Sequence, residues 1–225
     1  MSTFVPPGSR TTAKVLQMIR AAILNGDLGP GEQIRQQVWA ERCGVSRPPV
    51  REALEILTNA GLLMHSLNQG YFVAKYSIHE MHQLYTMRRL LEQEAIRTLE
   101  WPDPEQLEAI RNRASLIEPH VKEGRPDLAM QDVVAFFLDV YRLSPSNLIV
   151  AEIERLWTAT ASYRSRNYDV VAAPQGSTMR FEQIIVALAA CDREQLAELM
   201  DRPTRQGLQL SRGASQELEP IAETG

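Results

Sequence analysis

The residues best equipped for chemistry fall in two places. Near the N-terminus, Ser46-Arg47-Pro48-Pro49-Val50-Arg51 sets two arginines four apart, on one face of a helix that Ser46 would cap and whose first turn tolerates proline. A guanidinium fork can read guanine bidentately, and a hydroxyl at a helix N-terminus suits phosphate. Alone, the same pair is equally a solvated face. In the middle of the chain, Met81, Leu84, Arg88, Leu91 and Ala95 share one helical stripe that Arg88 interrupts. A buried arginine needs a partner. Arg88 therefore has a structural reading, with a carboxylate partner or a head reaching water, and a ligand reading, holding a carboxylate or phosphate. Metal and thiol chemistry are not written here: His65, His79, His82 and His120 are scattered, and Cys43 and Cys191 stand without a CxxC. Nor are GxGxxG, P-loop, HExxH or GxSxG motifs present, and Glu152 and Glu154 point to opposite faces, so no enzyme is expected.

Local pattern supplies the elements that must position these residues. Val15, Ile19, Ala22 and Ile23 mark a first helix that Asn25-Gly26 stops. Ile34 to Cys43 reads as a second, Gly44-Val45 as a tight turn, and Ser46 opens a third with Val50, Ala53, Leu54 and Leu57 on its apolar face. Leu62–Ser66 and Tyr71–Val73 form a hairpin around Asn68-Gln69-Gly70. Helix pair plus hairpin is the winged helix-turn-helix plan, whose second paired helix enters the major groove. From Ser77-Ile78-His79-Glu80, a capping box, helix follows helix with no convincing strand. One starts near 104 and ends at Gly124, the next starts near 127 and breaks at Ser144-Pro145-Ser146, and another spans about 147–169. Ala172–Ser177 is a loop, Asp192-x-x-Gln195 caps a final helix, and Pro203 should kink or end it. Met130, Val133, Val134, Phe137, Leu138 and Tyr141 leave only a narrow polar strip through Asp132, Asp139 and Arg142, which predicts a helix at the bundle's centre.

The fold class is mainly α, an N-terminal winged helix-turn-helix followed by an antiparallel α-helical bundle. Its expected divisions are a tail over 1–10, the DNA-binding domain over 11–76, an all-helical domain over 77–211, and a flexible tail over 212–225. Net charge is −4, which by itself speaks against a polyanion partner. Divided at residue 76, the charge becomes +3 on the head and −7 on the remainder, and that objection reverses. No apolar run approaches the roughly 18–20 residues of a membrane helix. The start of the chain lacks the basic flank and apolar core of a signal peptide, so a cytoplasmic protein is expected.

The segment Leu24–Ile34, followed by Gly44-Val45-Ser46-Arg47-Pro48-Pro49-Val50-Arg51-Glu52-Ala53-Leu54 and by Asn68-Gln69-Gly70-Tyr71-Phe72-Val73, resembles the GntR family of bacterial transcription regulators. That resemblance implies DNA contacts by Arg35, Gln37, Ser46, Arg47, Pro48, Pro49 and Arg51, and by Gly70 at the wing tip. Gln37 stands where many members carry an arginine. The body, through Tyr85-Thr86-Met87-Arg88-Arg89-Leu90-Leu91-Glu92 and Ser144-Pro145-Ser146-Asn147-Leu148, resembles the FadR-type branch, whose helical domain encloses an effector pocket. Many members of that branch bind a metal through one Asp and three His. The matching positions here are Val134, Leu138, Phe181 and Pro203, so no metal or other cofactor is expected.

The resemblance makes Arg88 the pocket arginine. It leaves Asn147 as an anchor or a helix cap, and Tyr141 as lining or core, alongside Val134, Leu138 and Phe181 as pocket walls. The implied protein is a repressor that binds a palindromic operator on double-stranded DNA as a homodimer. A small-molecule effector bearing a carboxylate or phosphate modulates it in a metal-free pocket. The alternative is a helical regulator acting through protein contacts alone.

Overall fold

The structure is a computed structural model and describes residues 10–161, 163 and 177–216. The chain divides into two compact units, Met1–Lys75 with Thr158–Arg166 and Tyr76–Trp157 with Asn167–Gly225. Among the described residues no helix is long and apolar enough to cross a membrane.

The first unit is built from α1 (Arg10–Leu24), β1 (Gln33–Ile34), α2 (Gln36–Cys43), α3 (Arg47–Asn59), β2 (Leu63–Ser66) and β3 (Gly70–Val73). The apolar stripes expected for α1 and α3 are buried, with Val15, Ile19, Val50 and Leu54 fully enclosed. Thr12 on α1 donates to Glu52 on α3 at 2.8 Å. Ile34 does not begin α2, contrary to the sequence pattern. It belongs to a two-residue strand paired antiparallel with β3, Gln33 opposite Phe72 and Ile34 opposite Tyr71, which gives a three-stranded sheet of order β1-β3-β2. Cross-strand pairing draws Ile34 into the core at 2% exposure, and the helix starts two residues later.

The second unit contains α4 (Ile78–Thr98), α5 (Pro104–Ser115), α6 (Ile117–Lys122), α7 (Pro126–Tyr141), α8 (Asn147–Ala159), α9 (Ser177–Ala189) and α10 (Arg193–Gln216). The expected capping box at Ser77 forms, and the structure adds a second at Asp103. Ser77 Oγ accepts from the Glu80 amide while Glu80 accepts from the Ser77 amide, and Asp103 and Gln106 exchange the same pair of bonds. Asp192 Oδ1 accepts from the Gln195 amide at 2.9 Å. The single helix expected from 104 to Gly124 is two helices, α5 and α6. Pro119 is the physical reason, since its ring opposes the carbonyl of Ser115, where α5 stops. The helix expected over 147–169 runs as α8 to Ala159; residues 164–169 and most of the 172–177 loop lie outside the described residues. The tail expected from 212 is helical through Gln216.

α4 and α10 run antiparallel in close contact. Tyr85 meets Gly207, Arg88 meets Thr204, Arg89 meets Asp201, and Arg193 donates to the carbonyls of Ile96 (2.5 Å) and Leu99 (3.2 Å), so one chain index rises as the other falls. Arg193 thereby satisfies carbonyls that the end of α4 leaves open. This seam overrides Pro203, which neither ends α10 nor separates Asp201 from Thr204 as anchors. Interior proline costs about 3 kcal/mol, and Asp201 and Thr204 are held by α4 on either side of it.

The bundle core gathers Phe136, Phe137, Val140 and Tyr141 of α7 with Ile153 and Trp157 of α8, Ile184, Ile185 and Leu188 of α9, and Leu196, Leu199 and Met200 of α10. Phe137 stacks on Trp157 with ring centroids 5.7 Å apart, and Phe181 meets Phe136 edge-on at 4.9 Å. α7 is central, as its pattern predicts. Asp132, however, is buried on it: its carboxylate accepts from His120 at 2.7 Å and lies 3.8 Å from Arg113.

A Cβ at Gly207 would overlap the Tyr85 ring edge. Gly207→Ala gains helix propensity of about 1 kcal/mol but overpacks the seam by about 1–3 kcal/mol. A lower urea midpoint is expected, with recovery when Tyr85→Leu removes the obstructing ring.

Candidate functional site

The head presents an open edge at the start of α3. Gly44 ends α2 in the left-handed region (φ 66°, ψ 40°), a conformation that a side chain would strain, and the amides of Gly44 and Val45 close the turn onto Glu41 and Ala40. Ser46 then occupies the N-cap position with extended backbone, and its hydroxyl makes no capping bond to α3. Pro48 and Pro49 remove two amides that would otherwise be orphaned, leaving the first turn with the Arg47 and Val50 N–H groups. Ser46, Arg47, Pro48 and Arg51 are exposed, and Pro49 is half-buried. The uncommitted hydroxyl, the positive helix terminus and two guanidiniums form a surface suited to phosphate oxygens and base edges.

Gln37 is brought to this surface in a role its sequence position did not suggest. Its side-chain carbonyl accepts from Arg47 Nε at 2.6 Å, while its amide donates to Glu41 at 2.6 Å. A residue ten positions upstream thus aims the arginine that opens α3. Arg51 pairs with Glu55 at 2.9 Å, and that hydrogen bond, then the carboxylate charge, holds its pKa above the usual guanidinium value. Arg35 is exposed at the N-cap of α2, with Nε 3.4 Å from Gln33. Gln33 in turn donates to the Gln69 carbonyl at 2.7 Å and so ties β1 to the wing turn. Gly70 closes that turn opposite Ser66 at φ 92°, and Leu67 beside it is 83% exposed.

In the helical unit the expected ligand residues separate. Arg88 is 1% exposed, and its charge is already matched: Nε donates to Glu92 Oε1 at 2.9 Å and Nη2 to Thr204 Oγ1 at 3.0 Å. Glu92 Oε1 also accepts from Trp157 Nε1 at 2.7 Å, and its Oε2 from Thr204 at 2.5 Å. The guanidinium lies 4.0 Å from the Trp157 ring centroid. Arg88 Nη1 and the Tyr141 hydroxyl, both buried, make no hydrogen bond of good geometry among the described residues. Burial above all pushes the Tyr141 phenol well up, and the nearby Glu92 charge adds to it. Phe181 and Tyr141 belong to the core, Val134 and Leu138 pack against it half-buried, and Asn147 stands exposed on the first turn of α8.

The structure therefore joins Arg88, Tyr141 and Phe181 to one core and leaves Asn147 outside it. Val134, Leu138, Phe181 and Pro203 offer no donor atom to a metal. Among the described residues, no group of three or more His, Cys, Asp or Glu is placed to hold one. Glu92 could have been found as the i+4 neighbour of Arg88; Trp157 and Thr204 carry no such local signal.

Comparison with known proteins adds a second line. The model of bacterial regulatory proteins of the gntR family matches residues 11–73, and that of the FCD domain matches 83–205. The HTH-type transcriptional regulator YdhC of Bacillus subtilis is 30% identical over 110 residues, covering 48% of this chain and 49% of YdhC, so the chain spans about half the length of that relative. McbR of Escherichia coli is 24% identical over 198 residues, 85% of this chain and 90% of McbR. The solved E. coli McbR/YncC structure covers 92% of this chain and 99% of its own, with TM-score 0.71 at 20% identity. A GntR regulator structure from Rhodococcus sp. RHA1 has the same coverages, with TM-score 0.74 at 23% identity. Both structures share the fold.

The pair at the centre of the second unit sets a stability expectation. Glu92→Leu strands the Arg88 charge and should cost about 3–5 kcal/mol. Arg88→Met combined with Glu92→Leu should recover most of that loss, as read by denaturant unfolding.

Proposed function

The chain belongs to the gntR family of bacterial regulatory proteins, with an FCD domain behind its winged helix-turn-helix, and from that premise we propose a transcription repressor that reads its operator through α3 and answers to a small acidic effector. The observation carrying the DNA reading is the open start of α3, where Ser46 leaves its hydroxyl uncommitted and Gln37 holds Arg47. Arg47 and Arg51 read base edges, Ser46 and the helix terminus meet phosphate, and Arg35 and Gly70 bring the wing side to the backbone.

Two copies related by a two-fold axis read a palindrome, with half-sites about one helical turn apart. A head of charge +3 is modest, so affinity rests on two heads together. The protein works in the cytoplasm, where the operator is. Its effector domain is metal-free, since the positions that hold metal in relatives are apolar here. The effector acts by binding one arrangement of the heads more tightly than another, the only means by which a ligand shifts such an equilibrium.

Arg47→Ala tests the reading. In a gel shift at fixed salt, on DNA flanking the protein's own gene, loss of one arginine fork should weaken specific binding by about 1–3 kcal/mol, roughly 5- to 150-fold. Nonspecific DNA should be bound nearly as before. Unchanged affinity for the specific fragment would overturn the assignment of α3.

A further inference from the structure

Arg180, on the first turn of α9, meets no acceptor among the described residues. Its Nε and Nη2 are buried and make no hydrogen bond, and no carboxylate pairs with it among the described residues. Among the described residues, the other buried or half-buried arginines each meet a carboxylate or a carbonyl. Arg88 meets Glu92, Arg89 meets Asp201, Arg113 meets Asp132 and Asp139, and Arg193 meets two backbone carbonyls. The neighbours of Arg180 are aromatic and cationic. Its guanidinium carbon lies 5.3 Å from the Phe181 ring centroid and 5.7 Å from that of Phe137. Burial first, then the charge of Arg202, lowers its pKa. Ring faces attract a cation but supply no lone pair to in-plane N–H donors, so the hydrogen-bonding edge stays unsatisfied. A second positive charge nearby makes the place worse for a bare guanidinium and better for an anion.

We propose that Arg180 is the effector anchor of the helical unit, receiving the carboxylate of a small organic acid whose body lies against Phe137 and Phe181. Nε and Nη2 form one edge of the planar fork, and their spacing matches the two oxygens of a carboxylate. The apolar rings select a carboxylate with a hydrocarbon or aromatic body over inorganic phosphate. This inference rests on the reading of the unit as an effector domain and moves the anion contact away from Arg88, whose charge Glu92 already neutralises. Arg180 also shares one aromatic series with Arg88: Phe137 stacks on Trp157, which in turn touches the Arg88 guanidinium and Glu92.

Three measurements on the full chain test this. Without ligand, Arg180→Met should match or exceed the native melting temperature, because it removes an unpaired, desolvated charge; a drop of several degrees would make Arg180 structural and overturn the proposal. In a ¹⁵N-arginine NMR titration with benzoate, the Arg180 Nε–H signal should shift saturably, and by calorimetry Arg180→Met should bind benzoate at least tenfold more weakly. Benzamide and inorganic phosphate should fail to compete. Equal benzoate affinity in the native chain and Arg180→Met, or no binding by either, would overturn the anchor; tighter binding of phosphate than of benzoate would overturn the carboxylate assignment. Gel shifts with and without benzoate then separate the two levels. Saturable binding at Arg180 with no change in DNA affinity upholds the anchor and refutes the effector reading. A benzoate response that persists in Arg180→Met does the reverse.

Discussion

An ionised carboxylate withdrawn from water is costly unless its oxygens meet donors, and Glu92 lies 4% exposed among α4, α8 and α10. Arg88 reaches it from one turn earlier on the same helix, Trp157 from α8 and Thr204 from α10. Each helix must therefore present its donor at one rotation and one height, and the apolar residues around the pair fall into place as a consequence. Phe137 stacks where Trp157 is held, and Tyr85 packs on Gly207 because Thr204 is fixed one turn away. The same seam carries α10 through Pro203, since Asp201 and Thr204 are gripped from outside the helix on either side of it.

The parts of this arrangement that were legible in the sequence are those with a local cause. The stripes of α1 and α3, the central place of α7 and the capping box at Ser77 each come from spacings of three or four residues, and all are present in the structure. The break between α5 and α6 was equally local, through Pro119, but a strong apolar pattern on both sides hid it. β1 was not legible because two residues carry no alternation; Ile34 becomes a strand only when β3 lies beside it. For the site, Arg88 was recognisable as an anomaly on an apolar face and Glu92 as its i+4 neighbour, whereas Trp157 and Thr204 are 65 and 112 residues from Glu92 in sequence. Arg180 gave no signal at all. An arginine beside a phenylalanine is ordinary until burial shows that nothing answers its charge.

The two units handle positive charge in opposite ways. Among the described residues of the helical unit, arginines meet carboxylates or carbonyls, with Arg180 the exception, and the excess of Asp and Glu beyond residue 76 leaves that body net negative. In the head, Arg47 leans on a neutral glutamine, and Arg51 shares an exposed carboxylate whose hold is weakened by water and salt. The chain's overall acidity is a property of the body, and the surface offered to DNA does not inherit it.

The contact between Gln37 and Arg47 has an entropic meaning. A long exposed side chain samples many rotamers, and freezing an arginine removes up to about 2 kcal/mol of that freedom. With Nε resting on Gln37 and Gln37 steadied by Glu41, much of the sampling is already gone before any operator arrives. With Nε held, the rest of the Arg47 side chain has less freedom left to lose on any contact it makes. The uncharged amide at position 37 thus decides when that disorder is lost.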